Sequence, residues 1–372
     1  MRLAITGLGL ATPAGCDDES FWRAMLRGTP VFEEVDLYGD DTRHPAGRVA
    51  GEIGHGWPRR QARRVDRFTL LAMAAVRQAL RSARFEVTEE NGARVGIIVG
   101  NATGGWSFVE PQLYPLYRER DLDAVDSYVA TAWFPTAAQG EISIDLGIRG
   151  FSKTIAGENL SSGFALRQAR HAIADGRLDV VVVCGAEAPL TPLVHSALLR
   201  HGTASASGTH RPFHPDADGS VLAEGAAALV VESADRVRRR TGRAVAEVAA
   251  SALGPDLATT MAACRARGPV DCVLLDGRAT PGADRAERRA LALVFADRPD
   301  LPAGVPGVVY GNLLGATLAV DIVTACLALR HRTVPATAAG PLPLPGLRHV
   351  LVNATDDHGQ AMSLLIKAWE NR

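Results

Sequence analysis

Residues 153–190, KTIAGENLSSGFALRQARHAIADGRLDVVVVCGAEAPL, run as a short strand, a Gly/Ser turn, a helix and a buried strand. This is the layout of a nucleophile turn. A cysteine or serine at its tip would sit against the positive end of the helix, activated for acyl transfer. The residue at the tip is Leu160, which has no nucleophile and no proton to lose. Ser161 and Ser162 follow at the helix start, where hydroxyls commonly satisfy free backbone N–H groups, so capping is their expected role. Glu158 is expected to be a carboxylate favoured by the same helix dipole. Asp357 and His358 fall in a turn expected at the surface, and His171, beside Arg170 and Asp175, is expected on an exposed helix face. His195, His201, His210 and His214 cluster in sequence without metal-ligand spacing, so no metal is expected.

Composition limits what could surround such a turn. A chain of 372 residues exceeds one typical core, which implies one large or two fused domains. With 40 Lys and Arg against 41 Asp and Glu, a net charge of -1 creates no field that gathers nucleic acid or an anionic membrane. The cysteines Cys16, Cys184, Cys264, Cys272 and Cys326 include no C-x-x-C pair and read as buried thiols of a reducing cytoplasm. The start MRLAITGLGLATPAG goes straight into a strand and Gly turn, unlike a signal peptide, and apolar runs such as VVVVCGA are too short to span a bilayer. A cytoplasmic chain is the expectation. GLGLATPAG lacks a G-K-[ST], and Pro13 interferes with the helix start that a dinucleotide site needs, so no cofactor is expected.

Strand and helix patterns alternate along the chain. LAITGLGL, VGIIVGNA, DVVVVCGAEA and GAAALVVES are continuous apolar runs, the pattern of strands covered on both faces. RFTLLAMAAVRQALRSA, SSGFALRQARHAIADG and LLGATLAVDIVTACLALRH read as helices, giving an α/β chain with helices on both faces of buried sheets. After the Arg-rich ADRVRRRTGR a shorter echo of this order begins, ending with HVLVNATDDHGQAMSLLIKAW as strand, turn, strand. A pseudo-repeat boundary is therefore drawn near residue 241, with halves 1–241 and 242–372. No Gly/Ser- or Pro-rich linker separates them, so they are expected to share one core.

Several segments together resemble the β-ketoacyl synthases of the thiolase fold. ITGLGLATPAGCDDESFWRAMLRGTP is similar to their opening strand and helix, RVDRFTLLAMAAVRQAL to their DRF…LA…A…AL helix, and RPFHPDADGSVLAEGAAALVVES to their RPFD…DGFV…GEGAA…VLE segment. The resemblance implies two pseudo-repeated halves in a layered α-β-α-β-α architecture. It also implies a site of one cysteine, in T-A-C-x-S-G, and two histidines, in H-G-T-G-T and G-H-x-x-G-A, acting on a thioester. Aligning Gly163 with the motif glycine puts Leu160 on the cysteine position. DGRATPGADRAE is similar to HGTGTPLGDAAE, so Asp276 stands for the first histidine. YGNLLGA is similar to IGHTLGA, so Asn312 stands for the second, and Gly307 for the usual lysine. A carboxylate at 276 would repel a developing oxyanion, while Asn312 could still donate a hydrogen bond.

Within that family the chain resembles the chain-length factors of type II polyketide synthases, subunits that lack the cysteine and pair with an active ketosynthase. The resemblance rests on SYVATAWFPTAAQGEISIDLGIRG, similar to their A-W-F…GQISI…G-x-R-G interface segment. It implies a dimer and tunnel region at 127–163, and a partner-facing wall at Tyr128, Thr131, Trp133, Phe134 and Gln139. Trp133 and Phe134 could equally fill the dimer core. The implied partners are an active ketosynthase and an acyl carrier protein bearing the polyketide chain. Leucine at 160 departs from the glutamine usual in factors of the aromatic pathways, and the chain is shorter than those factors, which points to a shorter or highly reduced, polyene-type product. Two other readings stay open: an enzyme of altered chemistry, a cyclase or hydrolase using Asp276, Glu158 or a serine, and an inactive homodimeric scaffold. The basic runs RRQARR and RVRRRTGR read as solvated faces, with docking of an acidic carrier protein as the alternative.

Overall fold

The computed structural model describes residues 1–51, 53 and 57–370. Ten strands make up its main sheet: β1 (Leu3–Ala11), β2 (Val95–Gly100), β3 (Lys153–Ile155), β4 (Val180–Glu187), β5 (Gly225–Ser233), β6 (Ala246–Gly254), β7 (Cys272–Leu274), β8 (Ala303–Gly304), β9 (His349–Thr355) and β10 (Ala361–Ala368). In the first half the spatial order is β3-β2-β4-β5-β1, and in the second β8-β7-β9-β10-β6. Both read third, second, fourth, fifth, first. The pairings repeat as well: parallel from third to fourth, antiparallel from fourth through fifth to first. The two arrays meet where Leu3–Ile5 of β1 pairs with Ala246–Val248 of β6.

Strand burial follows the sequence pattern. Every residue of β1, β2 and β4 is buried, as expected for strands covered on both faces. The covering helices are α1 (Arg67–Ser82), α2 (Ser161–Ala174), α3 (Leu257–Arg265), α4 (Pro281–Val294) and α5 (Thr317–His331). α1 packs on β1, β4 and β5 from outside, α3 packs on β6, β9 and β10 with α4 against it, and α2 and α5 lie between the arrays. The apolar interior divides accordingly. The largest core joins α2 and α5 to the inner faces of both arrays, a second sits under α1, and a third under α3 and α4. These are the layers of the thiolase-like fold.

α5 corrects the expectation about apolar runs. Leu314–His331 spans 18 residues with a mean hydropathy of 1.4, long and apolar enough to cross a membrane by length and composition, but 89% of it is buried inside the protein. A helix walled on all sides by two sheets and a sister helix has no polar face. The cysteine expectation fails at one position. Cys184, Cys264, Cys272 and Cys326 are buried, but Cys16 is exposed in the turn after β1.

The DRF and AEGAA motifs meet in space. The Arg67 guanidinium grips Glu224 with Nε 2.5 Å from Oε2 and a terminal nitrogen 2.6 Å from Oε1, and Glu224 also accepts the Val49 N–H at 2.8 Å. The neighbouring Asp66 accepts the Phe68 N–H, the Ser107 hydroxyl and the Phe108 N–H. The two segments thus tie the loop before β5 and the loop after β2 to the start of α1.

Candidate functional site

The two central helices begin alike. Before α2, Glu158–Leu160 forms a single 3-10 turn with Glu158 in the left-handed region at φ 48°. Before α5, Leu314–Ala316 does the same with Leu314 at φ 45°. Left-handed non-glycine residues carry backbone strain and persist only where the surroundings impose them. Here the imposed feature is close approach. A Cβ on Gly163 would lie 2.5 Å from the Met362 sulfur, and one on Gly315 would lie 2.6 Å from Glu187 Oε1.

Leu160 is the N-cap of α2 and is fully buried in the central core. An aliphatic side chain thus fills the tip of the turn. The serines beside it do not cap α2. Ser161 Oγ donates to the Glu158 carbonyl at 2.6 Å and accepts the Gly157 N–H at 2.9 Å, closing the turn on itself. Ser162 Oγ accepts the Ala319 N–H at 3.1 Å. It satisfies a free helix-start donor, but that of α5, a partner 157 residues away that local spacing does not show.

Asp276 and Asn312 do come together. Both line a small buried chamber with Asn159, His210, Arg278 and Asp321. Asp276, at the exit of β7, takes the Thr355 N–H at 2.8 Å and the Thr355 hydroxyl at 2.5 Å on one oxygen. Burial pushes its carboxyl up to about 6, against the opposing pull of Arg278. Glu287 of α4 receives the backbone N–H groups of Asp276 and Gly277 and the Asn353 side chain, each at 3.0 Å, and burial with the Asp276 charge pushes it up to about 8. Asp321 of α5 accepts the Tyr310 hydroxyl, and burial raises it as well. Carboxyls thus take up one wall of the chamber. Asn312 Oδ1 accepts the Leu314 N–H at 2.8 Å and the Thr317 hydroxyl at 3.3 Å, so its amide nitrogen points the other way, without a partner. A Cβ on Gly307 would stand 3.5 Å from His210 Nε2, in ordinary van der Waals contact.

The groups invoked for altered chemistry do not share an open pocket. Glu158 lies on the outer side of the chamber, its Oε2 accepting the Asp357 N–H at 2.9 Å and its Oε1 3.2 Å from His358 Nε2. His358 is a surface residue as expected. Asp357 is not idle. It accepts from Arg278 and from the Thr203 hydroxyl. Sequence reasoning passed over Arg278, Asn159 and Asp321, and weighed His210 only as a metal ligand. Their one available signal was Arg278 standing where the HGTGT pattern has a small hydroxyl residue. His195 also meets a partner, its Nδ1 2.7 Å from the Tyr38 hydroxyl.

The segment 127–139 lies at the surface. Trp133 is 39% and Phe134 48% exposed, with ring centroids 4.8 Å apart. Tyr128 is half-buried under the Arg64 guanidinium, Thr131 is exposed with its hydroxyl on the Tyr128 carbonyl, and Gln139 donates to Ser143 Oγ at 3.2 Å. Tyr114, Tyr117 and Ile144, from the surrounding helices, and Leu122, from the bend between them, are also exposed.

Comparison with known proteins agrees with the layered fold. Residues 1–236 match the model of the β-ketoacyl synthase N-terminal domain and residues 228–340 that of its C-terminal domain. The chain belongs to the β-ketoacyl synthase family. It is 31% identical over 368 residues to the tetracenomycin polyketide synthase ketoacyl synthase beta subunit of Streptomyces glaucescens, covering 93% of this chain and 90% of that one. It is 29% identical over 379 residues to the alpha subunit of the same synthase, covering 92% and 88%. The ishigamide ketosynthase/chain length factor shares the fold with a TM-score of 0.83 at 23% identity, over 99% of both chains.

Proposed function

We propose that the chain is the non-catalytic, chain-length-setting subunit of a type II polyketide ketosynthase heterodimer. One observation carries the reading: Leu160, buried and aliphatic, occupies the tip of an otherwise intact nucleophile turn. Asp276 and Asn312 support it, since neither an ionisable carboxyl nor a lone amide reproduces a pair of imidazoles. Glu158, Ser161 and Ser162 are each bonded away from the chamber, which disfavours the cyclase or hydrolase alternative. The exposed pair Trp133 and Phe134 and the outer edge strand β3, paired only with β2 among the described strands, are what a subunit keeps for a partner. The partners on this reading are an active ketosynthase and an acyl carrier protein with its bound chain, and the product is a shorter or highly reduced one. Tyr128, Thr131, Trp133, Phe134 and Gln139 form the partner-facing wall, and the growing chain stops against it.

The test is the mass of carrier-bound products from a reconstituted complex with an intact ketosynthase. Trp133→Ala or Phe134→Ala lengthens the product by one or more extension units, and a bulky residue at Thr131 shortens it. Intact complexes that all give the parent length place the wall elsewhere. Failure of the parent chain to co-purify with any ketosynthase bearing Cys, His and His returns the homodimeric scaffold.

A further inference from the structure

Arg278 lines two cavities at once. Outward lies a groove of about 540 Å³ between α3, α4 and the turn joining β9 to β10, with Leu257, Ala286 and Leu293 on its wall. Inward lies the chamber of Asp276 and Asn312, about 10 Å³, room for one water. The side chain is 6% exposed and stands between the two. One terminal nitrogen donates to the Thr355 carbonyl at 2.7 Å and the other to Asp357, both in the wall of the outer groove. Nε, by contrast, has no acceptor.

The other unpartnered groups of the chamber match. Asn159 Nδ2 and Asn312 Nδ2 are buried and meet no hydrogen-bond partner, and His210 Nε2, without a well-formed bond, lies beside the Gly307 backbone. His210 Nδ1 accepts the Val221 N–H at 3.3 Å, which leaves the proton on Nε2. All four atoms are therefore N–H donors. Buried donors of this kind each cost free energy unless an acceptor meets them. The oxygen of one water can take two of these N–H groups and turn its own hydrogens to the carboxyls of Asp276 and Asp321 on the same wall.

We propose that Arg278 Nε and Asn312 Nδ2, with Asn159 and His210 lining the same chamber, bind a single buried water, and that Arg278, clamped by Asp357, is the stopper that seals it from the outer groove. The clamp is itself braced. Asp357 is held by Thr203, and its turn is strapped to the start of α2 through Glu158. A ligand chain lying in the groove meets the guanidinium and goes no further. This holds whether or not the chain pairs with a synthase.

The experiment places a thiol on the chamber wall. In a Cys16→Ser background, which removes the one exposed cysteine, Asn159→Cys is treated with N-ethylmaleimide and labelling is followed by mass spectrometry. With Arg278 in place the introduced thiol stays unlabelled while the protein is folded. Adding Arg278→Ala raises its labelling rate at least about tenfold, because reactivity follows exposure. Asp357→Asn, which releases the clamp without emptying the chamber, gives a smaller increase and serves if Arg278→Ala does not fold. Rapid labelling with Arg278 intact, or no increase in whichever stopper variant folds, overturns the seal. A high-resolution crystal structure of the unaltered chain shows one water within hydrogen-bond distance of Asn312 Nδ2 and Arg278 Nε. Absence of that density overturns the site.

Discussion

Truncating Phe134 tests the proposed pairing surface directly, because its exposure sets the size of the effect. The ring is 48% exposed and Trp133 39%. An aromatic side chain has roughly 200 Å² to bury, so each leaves about 100 Å² for a partner, or about 2.5 kcal/mol at ~25 cal/mol per Å². Phe134→Ala is therefore expected to raise Kd for an intact ketosynthase about 50- to 100-fold. Trp133→Ala behaves alike, and the double variant loses less than the sum because the rings touch at 4.8 Å. Kd is measured by biolayer interferometry against the immobilised synthase. Tm of each isolated variant is recorded beside it, since the buried half of each ring is lost as well. Variants that keep their Tm and bind within experimental error of the parent would refute the assignment of this patch as an interface.

Three further outcomes are expected. Incubated with an activated acyl thioester, the chain gains no covalent adduct in residues 153–170 by mass spectrometry, and Leu160→Cys alone does not give condensation, since on the proposed reading Asp276 and Asn312 still occupy the two histidine positions. Asp276 and Glu287 are raised in the folded chain to about 6 and about 8 from 3.8 and 4.5, so the stability they contribute is complete below pH 4 and is lost as pH rises through those values. Urea midpoints should accordingly fall from pH 5.5 to 8.5, and a flat profile, or an equal slope in Glu287→Gln, would exclude this pair as the cause. Arg67→Ala leaves Glu224 buried without its cation and should cost about 3 kcal/mol in denaturant unfolding, whereas a loss under about 1 kcal/mol means that water or another group replaces the guanidinium.

The strands were legible because their signal is local. Val180–Val183 is apolar without a break, as a strand between two helix layers must be, and the hairpin His349–Ala368 announces itself by two apolar runs around Asp-Asp-His-Gly. The meeting of Asp276 and Asn312 was reachable only through resemblance, since the stretch of chain between them carries no distance information until the topology brings β7 beside the start of α5. Ser162 shows the same limit. Its residue type is right for a cap, but the N–H it satisfies belongs to a helix starting at residue 317. Arg278 was passed over because one arginine among 40 Lys and Arg reads as surface, and only the fold turns it inward.

The matched starts of α2 and α5 bear on how such a chain can change its occupation. Leu160 and Ala316 hold the same place, the N-caps of two helices met by the same single turn, at φ -88° and -90°. A methyl group at Ala316 can accept no acyl chain, yet its backbone takes the same path as the turn at Leu160. That path is thus a joint of the duplicated architecture, required to seat two helices between two sheets, and the reactive group is a passenger on it. Swapping the passenger leaves the joint intact. The backbone path at this position is therefore set by the seating of α2 and α5, whichever side chain it carries.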